Sequence, residues 1–133
     1  MIDNFTLISV ALGAGLLAMP AVADSQLTFS VDRHFNEKSG EDLYHAICQD
    51  CHMSQAQGAQ GAGTYPALTE NPKLAAAAYP IFMVANGLGG MPSFKAYLDD
   101  DQIATVVNYV RGNFGNHYPD VVSALDVKEI SHR

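Results

Sequence analysis

The residues best suited to chemistry are Cys48, Cys51 and His52, which form the run CQDCH, a Cys-x-x-Cys-His motif. Thiols at this spacing lie about one helical turn apart, so both can add to the two vinyl groups on one edge of a porphyrin. The histidine that follows directly is then placed under the iron as an axial ligand. The motif predicts one covalently attached haem c, held by Cys48 and Cys51 and ligated by His52.

Three other uses of this cysteine pair stay open on the motif alone. A thioredoxin-like dithiol also has two residues between its cysteines, but it normally lies in a strand–helix–strand setting, and no such alternation is visible here. A structural zinc site needs four ligands, and beyond the motif only scattered histidines remain. A disulfide between Cys48 and Cys51 would close a very short loop and would stabilise the fold little.

A second candidate ligand of the iron is Met91, which lies in the glycine-rich stretch GLGGMPSF, 39 residues after His52. Methionine usually fills gaps in a core, but a methionine flanked by glycines and a proline in a loop is poorly suited to core packing. We therefore expect the Met91 thioether to be the second axial ligand. Met53 adjoins His52 and cannot reach the opposite face, and Met83 lies in an apolar helical pattern and is expected in the core.

A histidine opposite His52 is the alternative to a methionine ligand. His45 lies one turn before the motif on the same helix, so it cannot reach the far face. The histidines that remain for a bis-histidine centre are His34, His117 and His132. Lone histidines are more often surface residues.

Downstream of the motif, Pro66 offers a carbonyl oxygen as an acceptor for the Nδ1 proton of His52. The preceding residues 53–64 are rich in Gly, Ala and Gln without periodicity, so they are predicted to form a loop that returns the chain to the motif. Such a contact would fix the imidazole ring and raise its basicity. A turn proline without contact to the site is the other interpretation.

Length and charge limit the class of protein. The chain has 133 residues, enough for one domain, and both of its two cysteines belong to the motif, so no pair remains for a structural disulfide. Its 14 acidic and 7 basic residues give a formal charge of −7. This excess argues against nucleic acid or an anionic membrane surface as partner, and it suits a partner with a basic docking patch.

Residues 1–23 have the pattern of a secretory signal peptide. An uncharged, mostly apolar run from Asn4 to Met19 is followed by the small-x-small tripeptide AVA just before Asp24. The segment before the run carries Asp3 and no Lys or Arg, so an uncleaved anchor stays open, and membrane contact is expected only if the segment is retained. Export suits the motif, since haem c is attached after translocation, and the expected location is the periplasm.

The rest of the chain shows an extended lead-in at 24–38 and then several helical patterns. Ser39 and Asp99 are the predicted N-caps of the first and the longest helix, and Gln102 completes a capping box with Asp99. Helices are predicted at 40–48, 73–78, 81–86, from Asp99 to about Gly112, and at 123–130. The apolar stripe of the long helix is expected to pack on the first helix, through Leu43, Tyr44 and Ile47.

These motifs resemble the mono-haem class I c-type cytochromes. The matching parts are the helix that ends in CQDCH, the YPAL segment, the GGMPSF loop and the helix DDDQIATVVNYVRGNFGN, together about residues 39–116. The tail HYPDVVSALDV resembles small cytochromes that accompany periplasmic dehydrogenases. The resemblance implies an all-α cytochrome c fold, with about four to five helices around one covalently bound haem c. A cytochrome c domain at 39–116 would carry the C-terminal tail, 117–133, packed on it.

The resemblance also implies a function without catalysis. Cys48 and Cys51 would carry the thioethers, and His52 and Met91 would fill both axial positions, so the iron would only gain and lose an electron. A periplasmic dehydrogenase is the implied donor, with the chain as its subunit or its soluble acceptor, and a terminal oxidase or another cytochrome is the implied acceptor. The alternative is a haem c protein with a labile distal site that binds a gas or peroxide.

Overall fold

The computed structural model describes residues 34–132. The predicted signal peptide at 1–23 and most of the extended lead-in lie outside the described residues. Within them the elements follow in this order: α1 (Gly40–Leu43), a π-helical turn (Tyr44–Cys48), α2 (Gln49–His52), β1 (Ala59–Gln60), β2 (Thr64–Tyr65), a 3₁₀-helix (Pro72–Ala75), α3 (Ala78–Asn86), α4 (Asp100–Gly112) and α5 (Ala124–Ser131).

The first helical unit runs through the whole cysteine motif. Ser39 caps it as predicted, because its Oγ accepts the amide of Asp42 at 3.0 Å. The prediction that the helix ends at 48 is wrong: the turn widens to the π form over Tyr44–Cys48, and α2 then continues to His52. Tyr44 closes the end of the unit, since its hydroxyl donates to Met53 O at 2.7 Å. The carbonyl of Met53, at the C-terminal end of α2, thereby gains a hydrogen-bond donor.

The long helix α4 begins with the predicted capping box. The amide of Gln102 donates to Asp99 Oδ1 at 2.7 Å, and the amide of Asp99 donates to Gln102 Oε1 at 3.0 Å. The helix packs on α1, where Gly40 lies so close to Thr105 that a β-carbon would meet its backbone. The ring of Tyr44 lies 4.8 Å from that of Phe114. The expected contact between the first and the longest helix is therefore present.

The middle of the chain differs from its predicted elements. The pattern at 73–78 yields only a 3₁₀-helix at Pro72–Ala75, and Ala76 is extended with φ −85° and ψ 105°. The next helix, α3, begins at Ala78 rather than 81, and Pro80 lies in its first turn, where a missing amide proton costs nothing. The predicted loop at 53–64 contains β1, which pairs antiparallel with β2. All other named elements between residues 34 and 132 are helical.

The C-terminal segment packs on the helical body. A Ser123–Asp126 capping box starts α5, which lies against α3 and α4 and buries Val127 completely. Arg111 on α4, 1% exposed, links this segment to the middle of the chain. Its guanidinium donates to Leu74 O at 2.9 Å and to Asp120 Oδ1 at 2.6 Å. None of the helices between residues 34 and 132 combines the length and the apolar character needed to cross a membrane.

Candidate functional site

Two cavities, of about 150 Å³ and about 440 Å³, open beside the cysteine motif. Both are lined by Cys48, His52, Pro66, Met83 and Met91, and Cys51 lines the larger one. The structure thus brings together the five residues that the sequence singled out, Cys48, Cys51, His52, Pro66 and Met91, from the π-helical turn, α2, the loop after β2 and the loop after α3. Most of the remaining lining side chains are apolar.

The orientation of His52 follows from one hydrogen bond. Its side chain is 8% exposed, and its Nδ1 lies 2.9 Å from Pro66 O. A carbonyl oxygen can only accept, so this contact requires the proton on Nδ1, and in a neutral ring the free lone pair then lies on Nε2. Neutral imidazole in this tautomer is the form that binds a metal through Nε2.

The backbone around Pro66 is held from two sides. Gly58 has φ +68°, its amide donates to His52 O at 3.0 Å, and a β-carbon there would overlap the Tyr65–Ala67 backbone. On the other side, Asn71 Nδ2 donates to Ala67 O at 2.8 Å. The carbonyl that faces His52 therefore belongs to a rigid segment, not to a flexible linker.

Met91 closes a two-residue turn that begins at Leu88. The two residues exchange backbone hydrogen bonds, each 3.0 Å long, and the first central residue, Gly89, has φ +59°, as a type II′ turn requires. Gly87 has φ +71° and lies where a β-carbon would overlap the Met91–Pro92 backbone. Ser93 Oγ ties the exit of the turn to Ala85 O at 2.6 Å. The thioether is thus presented by a tight loop anchored on α3.

Cys48 does not have the character of a redox-active thiol. It and Cys51 are both half-buried free thiols. Burial, and after it the neighbouring Cys51, raises the pKa of Cys48 to about 12, whereas reactive dithiols have a lowered pKa. Among residues 34–132 no cluster of three His, Cys, Asp or Glu side chains is arranged to hold a metal ion, so a zinc site has no support there either.

The donor set fits haem c. It consists of two thiols in the attachment spacing, an imidazole whose Nδ1 is held by a carbonyl and a thioether, around cavities lined mostly by apolar side chains, as an apolar macrocycle requires. The histidines considered for a bis-histidine centre are surface residues that do not line either cavity: His34, His117 and His132.

Several lining residues were missed by the sequence analysis. Met83, expected in the core, lines both cavities, and Asn71, Lys73 and Tyr79 line the smaller one. Tyr79 and Met83 stand four residues apart on α3, so they share one helix face. That spacing was the available signal, but the apolar character of the whole helix hid which face points to the site.

A family model described as "Cytochrome C oxidase, cbb3-type, subunit III" matches residues 35–110, more than half of the chain. The matched span holds the cysteine motif, Pro66 and Met91. The chain belongs to the cytochrome c family. Covalently attached haem c is the cofactor that this family implies, so it is the cofactor of this cytochrome. Membership also places the chain among electron carriers.

Known relatives of this cytochrome include both short carriers and long subunits. Cytochrome c6 of Leptolyngbya boryana is 42% identical over 74 residues, which cover 54% of this chain and 86% of that protein. The cytochrome c subunit of a quinone alcohol dehydrogenase of Gluconobacter oxydans (strain 621H) is 30% identical over 134 residues, 86% of this chain and 28% of the subunit. The cytochrome subunit of fructose dehydrogenase of Gluconobacter japonicus is 35% identical over 107 residues, 68% of this chain and 21% of the subunit. The chain therefore spans less than a third of these dehydrogenase subunits.

Proposed function

We propose that this cytochrome is a one-electron carrier. Cys48 and Cys51 hold haem c by two thioethers, and His52 and Met91 are the axial ligands of its iron. The observation that carries the proposal is the 2.9 Å contact between His52 Nδ1 and Pro66 O, which leaves Nε2 for a metal beside cavities that Met91 also lines. Bound there, haem c supplies a one-electron Fe(III)/Fe(II) couple.

Residues of the protein set the reduction potential of the haem. The Pro66 carbonyl fixes the imidazole and raises its basicity, while a thioether ligand raises the reduction potential. With both axial positions occupied by side chains, oxygen, peroxide and substrates have no position to bind. The chain therefore carries electrons and has no catalytic residue of its own.

The proposed partners follow from the relatives. Two of them are named as cytochrome subunits of dehydrogenases for alcohol and fructose. By analogy, a periplasmic dehydrogenase donates electrons to this chain, as its subunit or as a soluble acceptor, and a terminal oxidase or another cytochrome accepts them. The acidic excess of the chain, 14 acidic against 7 basic residues, suits a partner with a basic patch.

The test is an absorption spectrum of the ferric holoprotein and three methionine variants. The weak red charge-transfer band of a methionine-ligated haem is expected in the wild type, and it should vanish in Met91→Leu. Met53→Leu is the matched control, since Met53 is half-buried but does not line either cavity. Met83→Leu should also keep the band. A band that survives in Met91→Leu but not in Met83→Leu would move the ligand to α3.

Binding of carbon monoxide to the ferrous protein is the second test. The ferrous wild type should bind it slowly and weakly, and Met91→Leu should bind it fast. Fast, tight binding by the wild type would instead favour the labile distal site of a gas-binding or peroxide-binding protein. A colourless protein with the mass of bare polypeptide would refute haem attachment altogether.

A further inference from the structure

The smaller cavity has one polar wall. Three residues form it: Asn71, the N-cap of the 3₁₀-helix, Lys73 within that helix and Tyr79 at the start of α3. Apart from Cys48 and His52, the rest of the lining is apolar. We call these three residues the polar wall. The described residues offer no hydrogen-bond partner to the Tyr79 hydroxyl or the Lys73 ammonium, so both groups remain available as donors.

The two cavities differ in charge. The titratable residues that line the smaller cavity are Cys48, His52, Lys73 and Tyr79. Those that line the larger cavity are Cys48, Asp50, Cys51, His52 and Tyr65. The smaller cavity therefore has a cation and no carboxylate in its lining, whereas the larger one has a carboxylate and no cation.

Haem c is itself polar along one edge. Its two propionate carboxylates lie on the side of the macrocycle opposite the two vinyl-derived thioethers. Cys51 lines the larger cavity alone and Cys48 lines both, and only the smaller cavity offers a cation to a carboxylate. A carboxylate near an apolar lining is costly unless a cation or a hydrogen-bond donor meets it.

We infer that the polar wall binds the propionate carboxylates of haem c, through the Lys73 ammonium and the Tyr79 hydroxyl. The inference rests on the proposed attachment of haem at Cys48 and Cys51. Asn71 is the positioning residue: its Oδ1 accepts the amide of Lys73 at 3.0 Å, and its Nδ2 donates to Ala67 O at 2.8 Å. The wall is thereby joined to the segment whose Pro66 carbonyl holds His52.

The wall has a consequence for the reduction potential. A donor and a cation stabilise the ionised carboxylates, so their protonation is confined to acidic pH. Deprotonated carboxylates close to the iron favour the ferric state, and a pH change that protonates them raises the potential. With the polar wall intact, the reduction potential should not change with pH near neutrality.

The experiment measures the midpoint potential of the holoprotein between pH 4 and pH 9. Tyr79→Phe removes only the hydroxyl, and Tyr97→Phe is its matched control, because the two tyrosines are 40% and 39% exposed and Tyr97 does not line either cavity. Lys73→Gln is paired with Lys128→Gln on α5. The pH at which the potential begins to fall should move up by about one unit in Tyr79→Phe and Lys73→Gln, and neither control should move it.

Redox-difference infrared spectra of the wild type give an independent readout. With propionates labelled by ¹³C, the carboxylate bands should shift in Tyr79→Phe and stay in place in Tyr97→Phe. Unchanged bands and an unchanged pH profile, with the red charge-transfer band intact, would overturn the inference and leave the proposed function standing. If Lys73→Gln fails to fold, the nearly isosteric Tyr79→Phe still tests whether the polar wall binds the propionates. Loss of haem from the wild type itself would overturn both.

Discussion

The imidazole of His52 and the carbonyl of Pro66, 14 residues apart in the chain, meet at 2.9 Å. This contact decides which ring nitrogen remains for a metal. Because the acceptor is a backbone atom, no side-chain substitution removes it directly. The residues that support the backbone at Pro66 are therefore the ones to change.

Gly58→Ala should displace the Pro66 carbonyl. The residue has φ +68°, and the new β-carbon would overlap the backbone behind Pro66. We expect the free energy of unfolding to fall by about 1–3 kcal/mol, and the reduction potential to rise because His52 loses basicity. Urea titration and voltammetry measure the two effects. Gly61→Ala, where a β-carbon meets nothing within 4 Å, is the control. If Gly58→Ala and Gly61→Ala behave alike, Gly58 does not support the backbone at Pro66.

Gly87→Ala should loosen the Met91 turn. Its φ of +71° and its closeness to the Met91–Pro92 backbone leave no room for a β-carbon. The expected result is a weaker red charge-transfer band and faster binding of carbon monoxide, because the thioether no longer holds its position. Gly112→Ala, at the end of α4, is the control: a β-carbon there meets nothing within 4 Å, the residue has no positive φ and it lines neither cavity, so both properties should be kept. If Gly87→Ala keeps the band, or if Gly112→Ala loses it too, Gly87 does not hold the Met91 turn in place.

Arg111→Met should destabilise the fold without changing the site spectrum. The guanidinium is 1% exposed and donates to the carbonyls of Leu74 and Ala75 and to Asp120. Leaving the buried Leu74 carbonyl without its donor costs about 1–3 kcal/mol. Urea unfolding of the holoprotein measures the loss. Asp120→Asn should cost less, because the Asp120 side chain is 63% exposed. A larger loss in Asp120→Asn than in Arg111→Met would contradict the central role of Arg111 in these hydrogen bonds.

The same pair predicts an acid-dependent component of stability. The hydrogen bond from Arg111 lowers the pKa of Asp120 below its usual value. A carboxyl with a lowered folded-state pKa contributes stability above its ordinary pKa, and this is lost as the pH falls through the folded-state value. The free energy of unfolding should therefore fall less steeply at acidic pH in Asp120→Asn than in the wild type. Parallel curves would show that Asp120 contributes nothing to acid unfolding.

Tyr44→Phe tests the alkaline side. Burial raises the pKa of Tyr44 to about 12, and its hydroxyl donates to Met53 O. The contribution of neutral Tyr44 to the free energy of unfolding is fully present below the ordinary tyrosine pKa of about 10. This contribution is lost as the pH rises through about 12. The variant should lose about 1 kcal/mol at pH 7 and should show a shallower decline above pH 10. Tyr97→Phe, on the surface, should follow the wild type at every pH.

Several local features could be predicted because their causes are local. The caps at Ser39 and Asp99 lie within three residues of the amides they serve, and α4 follows from its cap and its apolar spacing. The predictions at 48 and at 73–78 were wrong for the opposite reason. A π turn and a 3₁₀-helix differ from an α-helix by small changes in hydrogen bonding, which residue types alone do not specify.

The sequence by itself determined which chemistry is available: two thiols and an imidazole at the spacing for haem attachment, and a thioether in a glycine-rich turn. Only the tertiary structure decided where these groups meet. The hydrogen bond to Pro66, the exposure of Met83 to the cavities and the polar wall at Lys73 and Tyr79 depend on contacts between distant segments. The order of residues along a chain sets local hydrogen bonds, but distant groups are brought together only by packing of the whole core.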